Sequence, residues 1–219
     1  MGTVLSAIGG LLDNIFYSFD MSAFEFFGNI QSPALTLAAK IFTFLGDGYV
    51  IAAMAVLGVI LCFFKKTRRY GAALLIAIAV GTILTNVIMK PLIMRARPYI
   101  TLAPVESFMQ WYENVGGLVE SDYSFPSGHT TAAFEIAISM FLCLKDKSKI
   151  AYIFPLIAAF TMISRVYLMV HYVSDVLGGM IVGIAAGILG YYLSGIMVKA
   201  LNKTKLGGFD IASLHKKER

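Results

Sequence analysis

Charge is scarce in this chain. Asp, Glu, Lys and Arg make up 14% of its 219 residues, against 58% hydrophobic residues, and the mean hydropathy is +0.76. A water-soluble domain of this length needs far more polar surface to cover itself, so that class is excluded. Cysteine is nearly absent. Cys62 and Cys143 sit at the ends of apolar runs without metal-ligand spacing, which excludes a disulfide framework. The chain starts without a basic segment or a small-residue cleavage site, so a cleaved signal peptide is not expected. The apolar runs lack period-2 alternation, which excludes the strands of a membrane barrel. Internal repeats and low-complexity tracts are also missing, and one domain is the natural reading.

What is present is a series of apolar runs of transmembrane length. Residues 48–64, 70–89, 150–164 with its flanks, and 173–198 read as four spans, and 130–144 as a shorter fifth. The N-terminus is different. Residues 3–19 carry Asp13 and Asn14 in the middle of an apolar stretch, and 19–30 are aromatic on one side and acidic on the other. Both read as interfacial amphipathic helices. The expected fold is all-α: an integral membrane helical bundle with five firm spans, a sixth candidate at the N-terminus, and helices as the spanning structure. Its parts are an amphipathic region (1–47), a helical core (48–198) and a basic tail (199–219).

The net charge of +5 does not indicate nucleic acid, because of where the charge lies. Of 18 Lys and Arg, 13 fall in KKTRR (65–69), KDKSK (145–149) and the tail from Lys199 onward. These segments punctuate the apolar runs, and the positive-inside rule places all three in the cytoplasm. Five cations are left: Lys40, Lys90, Arg95, Arg97 and Arg165. Alternating the spans puts the last four on the outer side, against the charge rule.

Those four belong to clusters. KPLIMRARP holds Lys90, Arg95, Arg97 and Pro98, with Pro98 expected to end the helix. Anion binding and snorkelling to the interface are both open readings, though snorkelling is favoured on the cytoplasmic side. FPSGHT (125–130) opens the 130–144 run. Pro126 suits a first-turn position, Ser127 can donate its hydroxyl, and Gly128 admits a close ligand. Exposed N–H groups at such a start bind phosphate, with His129 beside the anion; a plain helix cap is the alternative. SRVYLMVHYVSD (164–175) brings Ser164, Arg165, His171 and Asp175. The i,i+4 spacing of His171 and Asp175 predicts one helical face, where a carboxylate can orient and support an imidazole. A structural ion pair is the alternative there, but ionisable groups at the mouth of an apolar bundle are functional candidates by default. Together the clusters offer cations, backbone donors and two histidines, the parts that phosphoryl transfer needs. Glu106, Glu113, Glu120 and Asp122 are scattered in the loop rather than spaced to hold Mg²⁺, so no metal is expected.

In order, the chain reads Lys, six residues, Arg-Pro; Pro-Ser-Gly-His; then Ser-Arg, five residues, His, three residues, Asp. This pattern resembles the type 2 phosphatidic acid phosphatase superfamily of integral membrane lipid phosphatases, whose signature glucose-6-phosphatases and vanadium haloperoxidases share. The match covers roughly residues 84–180. The resemblance implies an outward-facing, metal-independent phosphatase that needs no cofactor. In it His171 is the nucleophile that forms a phosphohistidine, Asp175 orients it, and His129 is the acid for the leaving group. Lys90, Arg97, Ser127, Gly128 and Arg165 bind the phosphate. The family's membrane members usually have six spans, and the doubtful first helix here departs from that.

Arg95 has no fixed place in the signature. It reads as an interfacial residue, with a second phosphate as the alternative. Glu135, two turns into a span, is expected to face the bundle and pair internally. Trp111 and Tyr112 suit an interfacial anchor or a lid. A site at headgroup level argues for a lipid phosphate substrate, with compact chains of this kind resembling bacterial undecaprenyl diphosphate phosphatases and phosphatidylglycerophosphate phosphatases. The isoprenoid diphosphate is slightly preferred. A proton-relaying transporter would need charges at mid-bilayer depth, and only Glu135 fits. A haloperoxidase would be soluble, and a silent binding protein would not need His171, Asp175 and His129 intact. The expected setting is a plasma membrane protein with the lipid bilayer and a lipid phosphate as partners. The sequence carries no signal for oligomeric state.

Overall fold

The computed structural model describes residues 7–210, apart from the side chains of Lys205 and Leu206. The tail beyond, with His215, lies outside the described residues. Ten α-helices follow in order: α1 (Ala7–Asn29), α2 (Pro33–Phe44), α3 (Gly48–Cys62), α4 (Arg68–Thr82), α5 (Lys90–Ile93), α6 (Pro98–Thr101), α7 (Glu106–Asn114), α8 (Gly128–Leu144), α9 (Ile153–Tyr167) and α10 (Val173–Leu201). A π-helical segment, Ile83–Met89, joins α4 to α5 without a break, and no strand occurs among the described residues. The helix starts follow from capping chemistry. Ser32 accepts from Leu35 N at 3.3 Å ahead of Pro33, and Asp47 accepts from Tyr49 N at 3.0 Å.

The bundle is built around α10, which packs against α8 and α4. A stripe of glycines allows the approach. A Cβ at Gly179, Gly183 or Gly190 would lie 2.5–2.6 Å from the carbonyl oxygens of Ser127, Thr131 and Ala73. Small residues at such spacing let backbones meet where apolar side chains gain nothing from leaving lipid. Other faces of α3 and α10 expose Val56, Leu57, Ile181, Leu189 and Ile196, as lipid-facing helices do.

Three stretches are long and apolar enough to cross a membrane: Arg68–Thr101, Lys149–Tyr167 and Val173–Leu201. A fourth is counted if α2 and α3, bent by 41° at their junction, form one broken span. The expected count of five or six is therefore not reached by length and composition. The fifth expected run, α8, has 17 residues. At ~1.5 Å per residue it is about 26 Å long, short of a hydrocarbon core of roughly 30 Å.

Two further expectations are corrected here. The N-terminus is one continuous helix rather than two amphipathic pieces, and it docks into the bundle. Phe24 is fully buried, edge-on to Phe108 at 5.0 Å and beside Tyr172 at 5.8 Å. Pro98 does not end the helix of the 70–89 run. That helix stops at Met94, whose backbone is left-handed (φ 47°), and Pro98 instead opens α6, where its missing N–H costs nothing. The basic segments gather at one end: Arg68 donates to the carbonyls of Gly207 and Phe209, and Lys147 to the Tyr70 hydroxyl. The signature residues lie at the other end.

Candidate active site

Met94 ends the helix early, and the non-helical residues after it feed two arginines into the protein. Arg97 is 2% exposed. Its Nη1 lies 3.0 Å from His171 Nε2 and donates to the Val170 carbonyl at 3.1 Å. A guanidinium can only donate, so Nε2 is the accepting nitrogen and the proton of the neutral ring sits on Nδ1. Nδ1 in turn faces Asp175 Oδ2 at 3.3 Å and Ser124 Oγ at 3.4 Å. His171 is fully buried. Burial disfavours its imidazolium, and the charges of Arg97, Arg165 and Lys90 add to this, so its pKa falls well below the ordinary range. The ring is neutral near pH 7 with a lone pair on Nε2.

The His171–Asp175 pair forms in a way the spacing did not predict. His171 lies before the helix, in the turn after α9, and Tyr172 is the N-cap of α10. Asp175 is the third residue of α10, and its Oδ2 accepts from Tyr172 N at 3.0 Å. The two side chains meet through a capping turn and do not share a helical face. Ser124 Oγ adds a 2.5 Å bond to the same oxygen.

The FPSGHT stretch is held against this turn by Ser127 N donating to Asp175 O at 3.1 Å. Helix α8 starts at Gly128, so Pro126 stands before the cap and not in the first turn. Ser127 is the N-cap. Its Oγ accepts from Thr130 N at 3.4 Å and Thr130 Oγ1 at 3.1 Å. The N–H groups of Gly128 and His129 have no acceptor among the described residues, so the orphan donors of the helix start are available to an anion. A Cβ at Gly128 would sit 3.5 Å from Lys90 Nζ.

A cavity of about 220 Å³ lies here, lined by Lys90, Arg97, Gly128, His129 and His171. No described side chain is hydrogen-bonded to the His129 ring, which leaves it open to a ligand. Ser127 and Arg165 are buried behind the wall instead of lining it. Arg165 donates to Thr43 Oγ1 at 2.6 Å and to Glu120, which does line the cavity. Asp122 accepts from both Lys90 and Arg97. Burial alone would raise the Asp122 carboxyl, but the bond from Lys90 and the charges of Lys90 and Arg97 outweigh it and hold it below the usual range. Two of the four loop carboxylates, Glu120 and Asp122, are thus paired with the three cations.

Two more expectations change. Arg95 is neither interfacial nor open to a phosphate: it is fully buried and meets Asp13, Asp20 and Asp175. Removing one member of such a buried set leaves an uncompensated charge, at a cost of about 3–5 kcal/mol. Glu135 lines the cavity wall, but its Oε2 has no hydrogen-bond partner, so it does not pair internally. Trp111 and Tyr112 are packing residues here. Tyr112 stacks on Tyr99 at 5.0 Å, and the Trp111 indole presses on Gly28 of α1. Ser124, Asp122, Glu120, Asp13 and Asp20 were not singled out as site residues from the sequence. Asp13 and Asp20 did carry a signal: they lie seven residues apart, two helical turns, in an otherwise apolar stretch.

The chain is 34% identical over 165 residues to Phosphatidylglycerophosphatase B of Bacillus subtilis (strain 168), covering 71% of this chain and 73% of that one. It is 38% identical over 77 residues to Undecaprenyl-diphosphatase BcrC of the same strain, covering 35% and 38%. Among solved structures, a transmembrane PAP2 type phosphatidylglycerolphosphate phosphatase from Bacillus subtilis superposes with a TM-score of 0.67 at 28% identity, over 89% of this chain and 92% of that one. The family pattern itself runs through residues 69–196, from the start of α4 to the last turns of α10. With both histidines and all three cations inside that match, the chain belongs to the PAP2 superfamily, whose phosphatases act on phosphate esters.

Proposed function

We propose that this protein is a membrane lipid phosphatase working through a phosphohistidine, with phosphatidylglycerophosphate as the preferred substrate class. The observation that carries the mechanism is the neutral His171 with its Nε2 lone pair turned to Arg97, at a cavity lined by cations. Lys90, Arg97 and the N–H groups of Gly128 and His129 hold the phosphoryl oxygens, Arg165 adds its charge from behind the wall, and Ser127 shapes that helix start. Nε2 attacks phosphorus as the bond to the lipid oxygen breaks, and His129, protonated once the anionic phosphate fills the cavity, delivers that proton to the oxygen. Asp175 holds the Nδ1 proton and balances the charge that develops on the ring. Water then attacks the phosphohistidine, giving its proton to His129, and the P–N bond breaks to restore the imidazole. No step calls on a metal.

The substrate order reverses the one read from sequence. Similarity to Phosphatidylglycerophosphatase B spans 71% of the chain, whereas similarity to BcrC spans 35%. The site end is proposed to face outward, because the basic segments cluster at the opposite end. One assay tests both. Sealed right-side-out vesicles holding the protein are given short-chain phosphatidylglycerophosphate or isoprenyl diphosphate from outside, with EDTA present. Faster phosphate release from the phosphatidylglycerophosphate is expected. Release only after permeabilisation would overturn the orientation, and release from neither lipid would overturn the function.

A phosphate entering the cavity competes with Asp122 for Lys90 and Arg97. Asp122→Asn should therefore tighten inhibition by orthovanadate. Asp122 is about half exposed, 48% by its side chain. An ion pair of that kind is worth roughly 0.5–1 kcal/mol, so the change should be about 2- to 5-fold. Weaker inhibition in the variant would mean that Asp122 holds the two cations in place for the phosphate.

A further inference from the structure

The three carboxylates around Arg95 are more than the resting site uses. Arg95 Nη1 donates to Asp175 Oδ1 at 2.6 Å and to Ser174 Oγ at 2.7 Å, Nη2 to Asp20 Oδ2 at 3.0 Å, and Nε to Asp13 Oδ1 at 2.8 Å. The guanidinium carbon sits over the Tyr172 ring, 3.8 Å from its centroid. Asp20 also accepts from Ser174 twice, from N at 2.9 Å and from Oγ at 2.7 Å. The guanidinium fork is thus held at all three of its nitrogens and on one face, and Nη1 is the nitrogen spent on Asp175. An ammonium could not make these bonds at once.

This arrangement divides the two oxygens of Asp175. Oδ1 is taken by Arg95, so Oδ2 alone is left for Tyr172 N, Ser124 Oγ and His171 Nδ1. Any rotation of the carboxylate that would turn Oδ2 away from the imidazole also breaks the Arg95 contact. The anchor of the fork is on α1. Asp20 binds Arg95 and also the first turn of α10, two residues after Tyr172 and next to Asp175. The N-terminal helix therefore reaches the reacting histidine through two ion pairs.

We propose that Arg95 and Asp20 are positioning residues of the phosphatase reaction, fixing the orientation of Asp175 toward His171, so that helix α1 is a working part of the site. This rests on the phosphohistidine reading above. Neither residue lines the cavity that receives phosphate, so their loss should lower kcat and leave KM nearly unchanged.

The test is steady-state kinetics of Asp20→Asn and Arg95→Lys in detergent, with melting temperature measured alongside. Asp20→Asn should lower kcat on the order of 10- to 100-fold, as lost outer partners of a working histidine commonly do. Arg95→Lys should fall short of wild type, because it keeps the charge and loses the fork. The deciding measurement is a cycle with Asp175→Asn. If the pair acts through Asp175, adding Asp20→Asn to Asp175→Asn should cost less than about 3-fold more, whereas independent effects multiply. If Asp20→Asn does not accumulate, Ser174→Ala makes the same comparison without changing charge. Wild-type kcat in Asp20→Asn, a rise in KM alone, or losses that multiply in the cycle would each overturn the proposal. An inactive wild type would instead sink the functional reading, and His171→Ala run beside it sets the background rate.

Discussion

His171→Ala should abolish phosphate release while leaving the protein folded and inserted. The expected loss is about 10⁴-fold or more, because removing an attacking atom leaves only positioning and charge stabilisation. The fold should tolerate the change. Its three partners are each held by other bonds: Asp175 by Arg95, Tyr172 N and Ser124, and Arg97 by the carbonyls of Val170 and Asp122. Asp175→Asn should behave differently. It removes the carboxylate charge but keeps a side chain of the same size, so a measurable rate should remain, down by up to about 10⁴-fold. Rapid quenching with a ³²P-labelled substrate reads the same chemistry directly, as acid-labile label on the wild-type protein and none on the alanine variant. Because burial and three nearby cations hold His171 neutral, its activity should not fade as the pH passes through about 6.5, the ordinary histidine pKa. Turnover by His171→Ala above one-hundredth of wild type would remove this residue as the nucleophile.

The signature was legible because its chemistry is local. Lys90, Arg97, His129, His171 and Asp175 are polar residues next to apolar runs, and each break in hydropathy marks a helix end. The helices themselves followed from the same runs, to within a few residues for α3, α9 and α10. What was not legible depends on pairing across the sequence. Asp122 and Glu120 look like ordinary loop acids, and nothing in their spacing says that the loop folds back onto Lys90, Arg97 and Arg165. Asp13 and Asp20 looked like the wet side of an amphipathic helix, yet Asp20 is only 2% exposed. A buried carboxylate and a solvated one leave the same mark in a sequence unless the partner is known, and Arg95 lies 75 residues from Asp20. The π-helical turn at Ile83–Met89 was invisible for a related reason, since an inserted residue shifts the register without changing the composition.

His129→Ala should damage two substrates unequally. A general acid typically contributes about 10²–10⁴-fold, and how much depends on the leaving group. The alkoxide that departs from a lipid monophosphate is strongly basic and needs a proton, whereas p-nitrophenolate leaves readily without one. The structure favours His129 for this work on two grounds: it lines the cavity that holds His171, and no described side chain is hydrogen-bonded to its ring. Hydrolysis of phosphatidylglycerophosphate should therefore fall far more than hydrolysis of p-nitrophenyl phosphate. With the activated substrate, phosphohistidine at His171 should also build up, because the attacking water has lost its base. His171→Ala removes both activities together, so the ratio between the substrates is what separates the two histidines. Equal slowing of both substrates would make His129 a binding or structural residue at the start of α8. The proton for the lipid oxygen would then have to come from elsewhere in the cavity wall, where the Glu135 carboxyl has no partner on Oε2.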